Sequence, residues 1–220
     1  MPALVWDQVG ERLYETGVDH GVLYIPDVSG VYATGVAWNG LTAFTESPTG
    51  ADSNPQWADN IKYLNLISIE EFGATLEAFT YPDEFCQFDG LGVPSPGVVI
   101  GQQTRKVFGL SYRSRLGNDL EGEDHGYKLH LVYGCQASPS EKAYTTINDT
   151  PAPIAFSWTI STTPVPVTGF RPTSLIVVDS TVVDPTALGL LETELYGNAT
   201  TGVANLPLPD DVIAMFPETP

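Results

Sequence analysis

Positive charge is scarce in this 220-residue chain: nine Lys and Arg stand against 27 Asp and Glu, a formal net charge of -18. A protein that grips nucleic acid by its phosphates needs clustered cations, so conventional nucleic-acid binding is excluded. Cysteine is nearly absent. Cys86 and Cys135 stand far apart and fit neither a C-x-x-C nor a zinc spacing, so they read as buried thiols rather than a redox or metal pair. Long apolar runs are missing as well: the longest aliphatic stretch is 175–178, where a membrane span needs about 18 apolar residues. Residues 1–7 carry no basic stretch followed by an apolar one, so no secretory leader is expected and the chain reads as made in a cytoplasm, with no membrane partner.

What is present describes a chain that folds. A 42% hydrophobic fraction, 10% aromatics and only 16% charged residues separate it from acidic disordered segments. Its length suits one large all-β or mixed domain. The 21 Gly and 18 Pro punctuate short runs rich in Val, Ile, Thr, Tyr and Phe, the pattern of many strands joined by turns. Strands are expected near 20–26, 35–46, 61–68, 71–81, 102–116, 126–137, 142–148, 153–162 and 173–179, which implies a mainly β sandwich or barrel. The expected division is a single domain, 1–220, with an N-terminal arm (1–19), a β core (20–180), one helix (184–197) and a C-terminal arm (198–220).

Local patterns sharpen this outline. Phe108, Leu110, Tyr112 and Leu116 alternate with Arg105, Val107, Ser111, Arg113 and Arg115. After a polar reversal over 117–126, Tyr127, Leu129, Leu131, Tyr133 and Cys135 alternate with Lys128, His130, Val132 and Gln136, as in a half-buried hairpin. Asp184-Pro185, then Leu188, Leu191 and Leu195 at spacings of three and four, then Gly197, mark a capped helix. A shorter helix is expected from Pro209 to a stop at Pro217. Segments 47–60 and 89–101 read as irregular. The first is long for a connection between strands, and its Trp57 suggests docking onto something.

Catalytic motifs are missing: there is no G-x-S-x-G, no H-E-x-x-H and no G-x-x-x-x-G-K-[ST], so neither an enzyme nor a cofactor is expected. Residues 118–124 offer oxygen atoms at alternate positions but lack the register of a calcium loop, and a solvated hairpin tip is the better reading, with no metal expected. His125 and His130, five apart on a strand, face opposite ways. Glu70, Glu71 and Glu77 are the coincidences an acidic chain produces rather than a glycosidase pair. The Asn198-Ala199-Thr200 sequon matters only in a secreted eukaryotic protein. Arg105, Lys106, Arg113, Arg115 and Lys128 gather on one hairpin. On so acidic a chain, Arg105, Arg113, Arg115 and Lys128 are candidates to meet the acidic surface of another copy, with ordinary solvated residues as the equal alternative.

Longer stretches carry a resemblance. The runs GVAWNGLTAFTESPTG (35–50), ADNIKYLNL (58–66), EFGATLEAFTYPDEF (71–85), GQQTRK (101–106) and PSEKAYTT (139–146) resemble the major tail proteins, or tail tube proteins, of long-tailed, siphovirus-type bacteriophages. The likeness spans about 6–216 and is weakest at 198–204. It implies a β-sandwich or barrel with one flanking helix, six copies to a ring, and rings stacked into a tube around a tape-measure protein. Double-stranded DNA later passes through that tube, and tail terminator and distal tail proteins close its ends. The location implied is the virion, with the host cytoplasm during assembly. By the same resemblance, 47–60 (Ser47, Pro48, Asp52, Asn54, Trp57, Asp59) reaches an adjacent ring and the terminal arms add contacts. An acidic wall repels DNA and lets it slide, so Glu71, Thr75 and Glu77, opposite a buried face of Phe72, Ala74, Leu76 and Ala78, are lumen candidates. The alternatives are another ring-forming tail component, such as a terminator or baseplate protein, and a carbohydrate-binding β-sandwich, for which no aromatic platform is evident.

Overall fold

Strand follows strand along most of the chain. The computed structural model describes residues 3–147, 149–197 and 202–217. Its strands are β1 (Tyr14–Ile25), β2 (Thr34–Trp38), β3 (Leu41–Glu46), β4 (Thr49–Gly50), β5 (Ser53–Ala58), β6 (Ile61–Ile67), β7 (Glu70–Glu71), β8 (Gly73–Ala78), β9 (Gly92–Ser95), β10 (Val98–Ile100), β11 (Phe108–Asn118), β12 (Gly122–Ala137), β13 (Phe156–Thr162) and β14 (Leu175–Asp179). Helices α1 (Pro185–Tyr196) and α2 (Pro209–Met215) follow, and a short 3-10 helix occupies Asp83–Gln87. The mainly β class with flanking helix, expected from punctuation and periodicity, is the fold observed.

One antiparallel sheet in the order β2-β1-β11-β12-β13-β8-β3 forms the body. The long β12 is shared along its second edge: Lys128–Val132 pair with β14, and Cys135–Ala137 pair with β13. The sheet curls over an inner core of Leu23, Trp38, Leu76, Phe108, Leu110, Val132, Trp158 and Ile160, closed by Phe85 and Phe88 from around the 3-10 helix. Its outer face, at Val22, Tyr24, Leu129, Leu131 and Tyr133, is covered by Leu188, Leu191 and Leu195 of α1 and by Val212 of α2. Helix α1 starts as its sequence dictates. The Asp184 carboxylate accepts from Thr186 N at 2.9 Å and Ala187 N at 3.0 Å, Pro185 occupies the first turn, and Gly197 ends the helix at φ 75.

Strand β12 serves the two cores by plain alternation up to Tyr133, where one residue breaks the pattern and turns Cys135 inward. That residue is Gly134: at φ 61 it inserts a bulge between Val132 and Cys135, which pair with Leu110 and Phe108. A Cβ there would lie 2.1 Å from the Thr163 carbonyl oxygen, so the position accepts only glycine. Tyr133 stays on the helix side with Leu129 and Leu131, donating to Pro207 O at 2.9 Å, while Cys135, past the bulge, turns into the inner core. The expectation that Tyr133 and Cys135 share a face is therefore corrected.

Other expectations are corrected by pairing partners that the sequence does not announce. Residues 142–147 form no strand, and position 148 lies outside the described residues. Strand β11 starts at Phe108 rather than 102, and its hairpin reverses over 119–121. Segment 89–101, expected to be irregular, contains the β9–β10 hairpin. Residues 14–19 of the expected N-terminal arm lie in β1, within the sheet. The sequon at 198–200 lies outside the described residues.

Candidate assembly surfaces

The most conspicuous surface lies where an irregular loop, 47–60, and a strand, 61–68, were expected. Chain 47–72 leaves the body after β3 and returns as β8. Its root is tied by Ser47 N donating to Gly73 O at 2.7 Å and by the short β4–β7 pair. Beyond the root, Asp52 N donates to Ser68 Oγ at 3.0 Å, and β5 pairs with β6 through Asn54 opposite Leu66 and Trp57 opposite Lys62. Asp59 and Asn60, at φ 49 and 63, make the two-residue turn between Ala58 and Ile61. These are residue types whose short polar side chains tolerate the left-handed region. Ser47, Pro48, Asp52, Asn54, Trp57 and Asp59 thus belong to one projecting β ribbon, not to a structureless loop.

Every residue of β5 and β6 is exposed. Even so, the ribbon carries Trp57 (69% exposed), Tyr63 (66%) and Ile67 (68%), with Ile61, Leu66 and Ile69 beside them. A two-stranded ribbon is at best marginally stable in water on its own, and apolar side chains concentrated on one mark a contact surface. The signal that could have found it is the Asp59-Asn60 pair between two short runs. A second apolar surface, Leu4, Val5, Trp6, Val9 and Leu13, precedes β1 and is pinned to the β11–β12 tip, where Gly10 N donates to Asp119 Oδ1 at 2.9 Å.

The lumen candidates lie on and beside β8. In β8 the predicted alternation is present: Ala74, Leu76 and Ala78 are buried, while Thr75 and Glu77 turn outward, half-buried. Cross-strand neighbours extend that outward face, with Thr45 and Thr159 flanking Thr75 and with Ala43 and Ser157 flanking Glu77. The result is a sheet face of small hydroxyl side chains with one carboxylate and no Lys or Arg among these residues. Glu71 is not on it. It pairs with Thr49 at the root of the ribbon, separated from β8 by Phe72.

The cations stand differently from the expected free basic face. Arg113 grips Asp19 with two bonds, Nε to Oδ1 at 2.6 Å and a terminal nitrogen to Oδ2 at 2.9 Å, and Arg115 Nε reaches Oδ2 at 3.2 Å. Burial works against the Asp19 charge, but the Arg113 and His20 hydrogen bonds and charges hold its carboxyl well below the usual range. The Arg113 guanidinium also lies 5.0 Å from the Tyr127 ring centre, and Tyr127 donates to Glu192 at 2.7 Å. Burial, then that bond, push the Tyr127 hydroxyl up to about 12.

Lys128 pairs with Glu15. Arg105 lies 3.3 Å from Asp89 and donates to Ala137 O at 3.1 Å. Each of the four candidate interface cations therefore already meets a carboxylate of its own chain. The register also separates them. Arg113 and Arg115 sit opposite Leu129 and Tyr127 on the helix side, whereas Lys128 sits opposite Ser114 on the other face. The cations that the sequence gathers on one hairpin are thus split between its two faces.

The acidic stretch 118–124 is a capped turn. Asn118 Oδ1 accepts from Leu120 N at 3.1 Å and Glu121 N at 2.6 Å, and Glu121 meets His125 Nδ1 at 2.7 Å. Among the described residues no three His, Cys, Asp or Glu gather as metal ligands, and no helix is long and apolar enough to cross a membrane.

The architecture is a curled antiparallel sheet with helices on its outer face and with unpartnered ribbons and edges. No family model matches the chain, and neither does any curated protein. Among solved structures, a chain of the anti-feeding prophage (AFP) baseplate, 6-fold symmetrised, superposes with a TM-score of 0.37 at 10% identity. That match covers 80% of this chain and 97% of the other. A chain of the PVC sheath-tube complex in the extended state, from an extracellular contractile injection system, superposes with a TM-score of 0.35 at 10% identity, covering 73% of this chain and 88% of the other.

Proposed function

We propose that this protein is a structural component of a phage-type tail, and specifically a tail-tube subunit that assembles into stacked hexameric rings. The observation that carries the reading is the β5–β6 ribbon, which is exposed throughout yet rich in Trp, Tyr, Ile and Leu. Its apolar side chains leave water only when a neighbouring copy covers them, and burial of each large side chain is worth about 1.5–3 kcal/mol. The sequence resemblance described above supports the same assignment. In this reading the ribbon meets the next ring, and the segment before β1 adds contacts within or between rings.

The sheet face around Thr75 and Glu77 suits a channel wall. Small hydroxyl groups hold water, a carboxylate repels phosphate, and the absence of cations there means no counterion release to hold DNA in place. The excess of acid over base serves a conduit in the same way. A tape-measure protein fills the channel before DNA does, and terminator and distal proteins cap the two ends. Negative-stain microscopy of the purified protein at rising concentration tests the assignment. Long hollow tubes are expected; single rings would place the protein at a terminator or baseplate position, and monomers at every concentration would overturn the reading.

A further inference from the structure

The end of the inner core closest to the 3-10 helix holds two cations where one would balance the charge. Asp89, just beyond that helix, is buried, and its carboxylate faces two cations: Arg105 at 3.3 Å and Lys142 Nζ at 2.5 Å. Arg105 alone neutralises the acid. The second cation has a different environment, with its ammonium 5.1 Å from the Tyr81 ring centre, 5.9 Å from Phe156 and 6.0 Å from Trp158. Phe156 and Trp158 stack at 26°, and Tyr81 stands at 84° and 86° to them, so three rings and a carboxylate surround one point. Aromatic quadrupoles attract a cation within about 6 Å, most strongly where water is excluded. Burial opposes the Lys142 charge, but the Asp89 carboxylate outweighs it and raises the ammonium above its ordinary value.

We propose that Tyr81, Phe156, Trp158 and Asp89 form a receptor for a primary ammonium group, which Lys142 fills in cis to clamp the segment after β12 across the end of the inner core. That segment needs a clamp: residues 138–147 have no regular structure, and Tyr144 and Ile147 are exposed. The ligand class follows from the site's chemistry. A compact alkylammonium fits, whereas a neutral side chain of equal length loses both the carboxylate and the ring faces.

Thermal unfolding with hydrogen exchange tests this on the whole chain. Lys142→Ala and Lys142→Met are each expected to lower Tm by about 5 °C and to speed exchange over 139–147. Lys142→Met preserves the apolar stem, so wild-type Tm in that variant would overturn the proposal. In Lys142→Ala, n-butylammonium chloride at about five times its Kd should restore roughly 3 °C, and sodium chloride of equal ionic strength should not. The wild type, whose site is filled, should not respond. Equal effects of the two salts on Lys142→Ala would refute the receptor.

Discussion

Replacing Gly134 by Ala should cost about 3–4 kcal/mol of folding free energy, through terms visible at the bulge. Holding Ala in the left-handed region at φ 61 costs about 1–2 kcal/mol. Its Cβ, 2.1 Å from Thr163 O, forces the backbone just after β13 away from β12. That movement weakens the Thr163 N bond to Gly134 O (3.0 Å) and the Gly134 N bond to Tyr32 Oη (2.9 Å), about 1 kcal/mol each. Gly189 is the internal control. It lies in the middle of α1, where an added methyl group would meet nothing within 4 Å, so Gly189→Ala should stabilise by about 0.5–1 kcal/mol. Urea unfolding of the two variants, followed by the fluorescence of buried Trp38 and Trp158, measures both. If Gly134→Ala falls within about 1 kcal/mol of wild type, the bulge does not govern how β12 divides its side chains between two cores.

Three further outcomes follow from the surfaces. Trp57→Ser with Tyr63→Ser should abolish assembly while leaving the urea midpoint of the subunit unchanged, because both side chains are exposed in the isolated chain; assembly at the wild-type concentration would contradict the ribbon's role. Asp19 has a folded pKa below its unfolded value near 3.9, so its stabilisation is present above about pH 4 and is lost as the pH falls through the folded value. The stability gap between wild type and Asp19→Asn should therefore narrow as the pH is lowered from 6 to 3, and a constant gap would show that the Arg113–Asp19 pair is energetically idle. Thr75→Lys with Glu77→Lys should leave tubes intact but slow DNA release in an ejection assay, and unchanged release would remove that face from the channel.

Most of the parts of the fold that were legible share one physical property: each has one buried side and local signals at its ends. Helix α1 announces itself through Asp184-Pro185, its leucine spacing and Gly197, and β8 through strict alternation at Ala74, Leu76 and Ala78. Strand β6 was expected at 61–68, but its partner β5 hid because it is exposed on both faces, so no alternation marks it, and Pro55 disguises the strand. Gly134 hid the division of β12 because one inserted residue reverses the parity of everything after it. The grouping of basic residues was visible, but their neutralisation was not. Asp19 reaches Arg113 only after β1 pairs with β11, and no local pattern encodes that partnership.

A cryo-EM reconstruction of the assembled protein tests the central claim most directly. The account predicts a hollow tube in which β5–β6 of each copy packs Trp57 and Ile67 against a neighbouring copy, with Thr75 and Glu77 facing the channel. A reconstruction that leaves the ribbon in solvent and turns the Thr75–Glu77 face to the outside would contradict it.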